Sequence, residues 1–126
     1  MIEGINHFTI AAADRQATLA FYVGLLGLAE GARPDFDFPG AWLYAAGGGP
    51  AILHLVWERP VPAQRTGVID HVAFSARGLQ ALRRKLDAQG WPYDLRRLPG
   101  DGAWQIFVLD PNGARVELTF DASESA

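Results

Sequence analysis

The stretches INHFTI (residues 5–10) and IDHVAF (residues 69–74) decide the fold, because they are two copies of one pattern. Each copy precedes a helical segment and several short strand-like runs, and the two halves close with ILHLVW (52–57) and RVELTF (115–120). His7 and His71 are 64 positions apart, and His54 and Glu117 are 63 positions apart. The chain is therefore a tandem repeat, and the repeat fixes its architecture.

The composition limits the classes of protein to which this chain can belong. Its 126 residues form one domain, 1–126, and a hydrophobic content of 49% is enough to bury a core. A net charge of −3 argues against nucleic acid or an anionic membrane as partner. The lack of cysteine excludes disulfides and thiolate ligands and fits a cytoplasmic location. We expect no signal peptide and no membrane span.

The first half of the repeat, residues 3–57, has the pattern of a β-α-β-β-β module. Asp14 is placed to cap the start of a helix, and Gly27 is placed to end it. Leucine and tyrosine recur between them at helical spacing. The predicted strands cover residues 3–12, 28–34, 41–46 and 51–57.

The second half, residues 68–120, repeats this order after a proline-containing linker at 58–67. A helix is predicted at 78–89, and DPNG at 110–113 predicts a tight hairpin turn. The fold class is therefore α+β, with tandem β-α-β-β-β modules that form a curved, mostly antiparallel sheet. The small polar residues at 121–126 are expected to be frayed. The remaining predicted strands cover residues 68–76, 92–98, 103–109 and 114–120.

Strand alternation places four ligand-type side chains on one face of the sheet, because successive side chains point to opposite faces. These residues are His7, His54, His71 and Glu117. Taken singly, a histidine in a strand is more often a partly buried, hydrogen-bonded residue than a metal ligand, and a salt bridge to Arg115 is an alternative role for Glu117. Together they favour a metal site, because all three histidines of the chain occupy repeat-related positions on that face.

The expected cofactor is one divalent metal ion per site. Imidazole and carboxylate ligands suit Zn, Ni, Fe(II), Mn or Co, and the sequence does not choose among these ions. Three or four protein ligands leave coordination positions open for water or a chelating substrate, as a catalytic site requires.

The same face supplies the expected pocket lining. In the repeat, Trp42 and Tyr44 of the first half correspond to Gln105 and Phe107 of the second half. These four side chains either line the pocket or pack into the core.

Two further groups of side chains are candidates for contact with a substrate. Phe36 and Phe38 lie in a predicted loop and form either a lid or an anchor for that loop. Arg33, Arg65 and Arg115 are isolated cations, and each is a candidate partner for a substrate carboxylate.

Several motifs together resemble the vicinal oxygen chelate superfamily, also called the glyoxalase/bleomycin resistance/dioxygenase group. They are NHFTI (6–10), LAFYVGLLG (19–27), DHVAF (70–74) and DPNGARVEL (110–118). The resemblance spans about residues 3 to 120 and implies the glyoxalase/dihydroxybiphenyl dioxygenase-like fold. It also implies a metal-dependent enzyme whose small substrate chelates the metal through two adjacent oxygens.

The resemblance implies ligands on the first and last strands of each half, which are the four residues already singled out. Glyoxalase I and methylmalonyl-CoA epimerases use all four positions, although Glu or Gln is usual where this chain has His54. Extradiol dioxygenases and fosfomycin-resistance enzymes use three, which match His7, His71 and Glu117. Thr9 resembles the threonine after the first ligand in fosfomycin-resistance enzymes and is a further expected substrate contact. The loop at 98–103 lacks their serine-rich potassium site.

In short members of this superfamily two subunits commonly share each site. The resemblance therefore implies a homodimer that joins His7 and His54 of one chain to His71 and Glu117 of the other. Closure of the site within one chain is the alternative.

The leading functional prediction is a glyoxalase-like isomerase or lyase. Glu117 or His54 would move a proton next to a carbonyl. One alternative is an extradiol-type Fe(II) ring-cleaving dioxygenase. The other is a non-enzymatic drug-binding protein of the bleomycin-resistance type, whose members generally lack the metal ligands.

Overall fold

A computed structural model describes residues 1–64 and 67–126 of the chain. It divides into two units, Met1–Ala63 and Gln64–Ala126, and the boundary falls within the stretch 58–67. Arg65, one of the candidate partners for a substrate carboxylate, lies outside the described residues.

The first unit is a four-stranded sheet with one interrupted helix. Its strands are β1 (Phe8–Ala12), β2 (Ala29–Gly31), β3 (Gly40–Tyr44) and β4 (Ala51–Trp57). They lie in the order β1-β4-β3-β2, with β1 parallel to β4 and the other pairs antiparallel. Helix α1 (Arg15–Leu19) follows β1 and continues as a π-helical segment, Ala20–Leu25.

The helix begins and ends as predicted, but its second half is wider than an α-helix. The Asp14 carboxylate accepts from the Ala17 N–H at 2.9 Å, and Gly27 ends the segment with a φ of 81°. Between them, the Leu26 N–H donates to the Phe21 carbonyl five residues back. Phe21, Tyr22 and Leu25 of this segment are buried in the core.

The second unit repeats this arrangement, so the predicted tandem β-α-β-β-β fold is confirmed. Its sheet has the order β5-β8-β7-β6, with β5 parallel to β8 and the other pairs antiparallel. In the part of the chain that the structure describes, no helix is long and apolar enough to cross a membrane. The elements are β5 (Val72–Ser75), α2 (Leu79–Ala88), β6 (Tyr93–Arg97), β7 (Trp104–Leu109) and β8 (Arg115–Phe120).

The two strands that open the modules are shorter than predicted. Ladder pairing with β4 begins at Phe8, and pairing with β8 begins at Val72, so His7 and His71 each stand one residue before a strand. In β8 the residues Val116, Glu117 and Leu118 are all buried, so Glu117 does not lie on an open face as predicted, whereas β4 alternates as predicted up to Leu55. Leu53 and Leu55 are buried on either side of the half-buried His54.

The predicted fraying of residues 121–126 is wrong, because this segment caps helix α2. The helix begins after Gly78, which has no side chain with which to cap it. The Glu124 carboxylate accepts instead from the backbone N–H groups of Gly78 and Leu79, at 3.0 and 2.7 Å. Trp104 Nε1 donates to the Glu124 carbonyl at 3.0 Å and holds the segment in place.

We therefore expect Glu124→Ala to destabilise the protein by about 1 kcal/mol, as the loss of a helix cap does. Denaturant unfolding followed by circular dichroism measures this change. Glu3→Ala is the matched control, because Glu3 is exposed, and we expect it to leave the unfolding midpoint unchanged. Equal stability of the Glu124 variant and the wild type would contradict a capping role.

Candidate metal centre

Three aromatic rings form a stack in the first unit. The imidazoles of His7 and His54 lie 3.7 Å apart between centroids, with their planes inclined by 17°. The Trp42 indole lies on the other side of His54, at 4.0 Å and 8°. Strand pairing causes this contact, because Trp42 on β3 is directly opposite His54 on β4.

The stack bears directly on how the two histidines can bind a metal. An imidazole nitrogen binds a metal in the plane of its ring, at about 2.0–2.1 Å. The two rings are nearly parallel and their centroids lie 3.7 Å apart, so the nitrogen lone pairs of the two histidines lie in separate planes. Lone pairs in separate planes do not point at one ion. In this arrangement His7 and His54 do not ligate the same metal, and His54 would have to leave Trp42 to do so.

Burial lowers the pKa of His54 below the ordinary value of 6.5, and the nearby His7 and Arg33 lower this pKa further. A lowered pKa favours the neutral form of the imidazole, which can accept a proton. Thr9 pairs with His54 across the β1–β4 ladder, so a residue with a hydroxyl lies next to this histidine.

The second unit brings His71 and Glu117 into direct contact. His71 Nε2 lies 2.9 Å from Glu117 Oε2, and the glutamate is only 6% exposed. The other carboxylate oxygen, Oε1, accepts from Gln105 Nε2 at 2.5 Å and from Thr119 Oγ1 at 2.9 Å. These bonds fix the direction of the carboxylate and leave Oε2 facing the histidine.

The geometry of this pair matches two ligands of one metal ion. Ligands bound at about 2.1 Å and at right angles lie about 3.0 Å apart, close to the observed separation of Nε2 and Oε2. Without a metal, a proton on Nε2 joins the same two atoms as a hydrogen bond or ion pair, so the pair can hold either a proton or a metal.

Each of the two opening histidines is oriented by the residue before it. His7 Nδ1 lies 2.7 Å from Asn6 Oδ1, and His71 Nδ1 lies 2.8 Å from Asp70 Oδ2. A histidine that donates from Nδ1 to such an oxygen turns its Nε2 lone pair outward, which is the usual support of a metal-binding imidazole. We did not predict this role, although a signal was present, since both copies of the repeat place Asn or Asp before the histidine.

Arg115 supports the second histidine and is not paired with Glu117. Its Nη1 donates to Asp70 Oδ2 at 2.8 Å. Arg115 therefore forms its salt bridge with Asp70, and not with Glu117 as the sequence also allowed. The hydrogen bond from His71 and the charge of Arg115 lower the pKa of Asp70. Arg115 therefore already has a carboxylate partner in Asp70.

The structure thus brings the four predicted ligands together as two pairs. One pair is His7 with His54, and the other is His71 with Glu117. Among residues 1–64 and 67–126, no three His, Asp or Glu side chains form a group able to hold a metal.

The strand registers change the predicted correspondence of the lining residues. Trp42 lies opposite His54 and Phe107 lies opposite Glu117, so these two are equivalent. The predicted equivalence of Trp42 with Gln105 and of Tyr44 with Phe107 is wrong. Gln105 instead binds Glu117, and the Tyr44 hydroxyl donates to the Ala32 carbonyl at 2.6 Å.

Tandem β-α-β-β-β modules, with histidine and carboxylate side chains at matching strand positions, define a class of small-molecule-binding proteins that typically use a divalent metal. The chain belongs to the Glyoxalase/Bleomycin resistance protein/Dioxygenase superfamily, whose family model matches residues 4–118. The predicted family resemblance is thereby confirmed.

Known proteins similar to this chain come from several branches of the superfamily. Glutathione transferase FosA of Serratia marcescens is 28% identical in an alignment of 123 positions, which covers 94% of this chain and 81% of that protein. The structure of a putative glyoxalase family protein from Bacillus anthracis is similar with a TM-score of 0.75 at 23% identity, covering 96% and 97% of the two chains. The fosfomycin resistance protein FosX of Listeria monocytogenes has a TM-score of 0.73 at 19% identity, covering 95% and 94%.

Proposed function

We propose that the protein is a divalent-metal-dependent enzyme whose metal is held by His7, His71 and Glu117. The observation that carries this proposal is the 2.9 Å approach of His71 Nε2 to the buried Glu117 Oε2. The matching support of His7 by Asn6 favours that histidine as the third ligand. Two imidazoles and a carboxylate form a donor set suited to Zn, Ni, Fe(II), Mn or Co.

The complete site needs both units, because neither pair alone supplies enough ligands. We propose a homodimer in which His7 of one protomer completes the site of His71 and Glu117 in the other. This sharing rests on the family resemblance, and the separation of the candidate ligands into two pairs is compatible with it.

The proposed reaction is an isomerisation or lyase step of the glyoxalase type. The bound metal would act as a Lewis acid on a substrate that offers two adjacent oxygens. His54 is the proposed base, because it stacks on Trp42 instead of ligating, lies beside His7, and has a lowered pKa that favours the neutral imidazole. It would take a proton from the carbon next to the substrate carbonyl and return it at the neighbouring position.

A second candidate is the transfer of a thiol such as glutathione to a small substrate. Two observations favour it, namely the similarity to glutathione transferase FosA and the position of Thr9 beside His54. The three-ligand arrangement is compatible with this reaction as well as with ring cleavage.

A substrate panel on reconstituted protein tests these reactions. Protein loaded separately with Zn, Ni, Mn and Fe(II) is assayed with the methylglyoxal–glutathione hemithioacetal, with fosfomycin plus glutathione, and with catechols under oxygen. We expect turnover of the hemithioacetal, lost in His54→Gln while metal content is retained. Oxygen uptake with catechol would assign a dioxygenase instead. Bleomycin binding by metal-free protein, without turnover of any substrate, would assign a drug-binding protein.

Asp70→Ala tests the orientation of His71. Without the acceptor for Nδ1, the ring is free to turn, and we expect metal affinity to fall about 10- to 100-fold, as for other residues that orient ligands. Calorimetric titration with Zn measures the change. Asp94→Ala is the matched control, because Asp94 is an exposed aspartate paired with Arg96. The affinity of this variant for Zn should equal that of the wild type. Equal affinity in both variants would contradict the role of Asp70.

A further inference from the structure

The first unit contains a small pocket beside the ring stack, distinct from the proposed ligand atoms. Its volume is about 120 Å³, and Arg33, Thr9 and three aromatic side chains contribute to its walls. An engineered apolar cavity of about 150 Å³ takes up a benzene molecule, so this pocket is of the size of a small ring or a short planar group. The aromatic wall residues are Phe36, Phe38 and Trp42.

Arg33 is held in place without a carboxylate partner. Its Nη2 donates to the Phe38 carbonyl at 2.8 Å, and its guanidinium lies over the rings of Phe36 and Phe38 at 4.9 and 5.1 Å. Within the described ranges it forms no salt bridge, although Asp35 and Asp37 are near it in sequence. A guanidinium has five N–H donors, so most of its binding capacity remains available.

The backbone around Arg33 leaves room for it. A Cβ on Gly40 would stand 3.0 Å from Arg33 Nη2 and still closer to the Leu55 carbonyl oxygen. Glycine at this position therefore allows the guanidinium to lie against strand β3. The polar groups in the walls of the pocket are the Arg33 guanidinium, the Thr9 hydroxyl and the His54 imidazole, with no carboxylate among them, so their chemistry favours an anion.

We propose that this pocket binds the carboxylate of a small planar monoanion, with the carboxylate on Arg33 and the planar group against the aromatic side chains. The planar fork of the guanidinium fits the two oxygens of a carboxylate. The flat walls formed by Phe36, Phe38 and Trp42 favour an unsaturated or aromatic group. A single arginine without a lysine suits one negative charge better than two.

This assignment deepens the proposed function by naming a substrate class. The substrate would carry a carboxylate on a planar group, in addition to the two adjacent oxygens that chelate the metal. The identification of the bound anion as part of a substrate rests on the proposed function, whereas anion binding by the pocket does not.

The test uses full-length protein freed of metal with a chelator and benzoate as the probe, with affinity measured by calorimetry. A fragment of this size is expected to bind with a Kd on the order of 1 mM. We expect benzamide, which has the same shape without the charge, to bind at least about tenfold more weakly. In Arg33→Gln we expect the affinity for benzoate to fall at least about tenfold, and in Arg33→Lys by less.

Arg15→Gln is the matched control, because Arg15 also lies over an aromatic ring of this unit, that of Trp57, but is not part of the pocket. It should bind benzoate as the wild type does. Circular dichroism spectra identical to the wild type show that the variants fold. Equal binding of benzoate and benzamide, or undiminished binding in Arg33→Gln, would overturn the proposal. Tighter binding of phenylphosphonate than of benzoate would overturn the choice of a carboxylate.

The outcome is separable from that of the metal site. Metal binding and turnover without benzoate binding would overturn only the pocket assignment. Benzoate binding through Arg33 in a protein that takes up no metal would support the pocket and overturn the proposed function.

Discussion

Glu117→Gln is expected to abolish metal-dependent turnover and to weaken metal binding by more than about 100-fold, the upper end of what loss of a ligand-orienting residue costs. The change removes the negative charge and replaces one carboxylate oxygen with an amide, but keeps the size of the side chain. The change also breaks the ion pair with His71 and leaves that histidine without its partner, so the metal-free variant is expected to melt at or below the temperature of the wild type.

The measurement for this variant is a Co(II) titration followed by absorption spectroscopy, alongside the assay of turnover. Glu30→Gln is the matched control, because Glu30 is exposed on the edge strand β2, and it should behave as the wild type does. Wild-type metal affinity in Glu117→Gln would contradict the assignment of Glu117 as a ligand.

Mixing two inactive variants is expected to restore activity if two protomers share each site. A heterodimer of His7→Ala with Glu117→Gln carries both defects in one site and leaves the other site intact. After unfolding and refolding of an equal mixture, half of the dimers are mixed, so roughly a quarter of wild-type activity should return.

The control mixture pairs His71→Ala with Glu117→Gln. Both changes then lie in the same unit, every site carries one defect, and no activity should return. Native mass spectrometry verifies that mixed dimers form in both experiments. Mixed dimers without recovered activity in the first mixture would contradict a shared site and favour closure within one chain.

The fold was predictable because the repeat and the strand alternation are local signals. The positions of His54 and Glu117 within β4 and β8 follow from the alternation of apolar side chains around them. The cap at Asp14 is equally local, since the carboxylate binds an N–H three residues along the chain.

The lining residues were misassigned because one constant offset does not hold throughout the repeat. Trp42 and its partner His54 are 12 positions apart, whereas Phe107 and Glu117 are 10 apart. The first hairpin has a register shift at Leu43/Tyr44, which accounts for part of this difference. An irregularity of this kind leaves no periodic signal in the sequence.

The remaining features depend on contacts between distant parts of the chain. Glu124 caps a helix that begins 45 residues earlier, and Asp70 binds an arginine 45 residues later. The stack of His7, His54 and Trp42 depends on side-chain rotamers as well as on register. Sequence reasoning therefore named the candidate ligands but left open whether His54 was one of them.

A crystal structure of metal-soaked protein, with anomalous diffraction recorded at the absorption edge of the metal, tests the central claim most directly. We expect one strong anomalous peak per protomer, bonded to His71 Nε2, Glu117 Oε2 and a His7 Nε2, with His54 still stacked on Trp42. Absence of a peak beside His71 and Glu117 in crystals soaked with the metal would contradict the proposed metal centre.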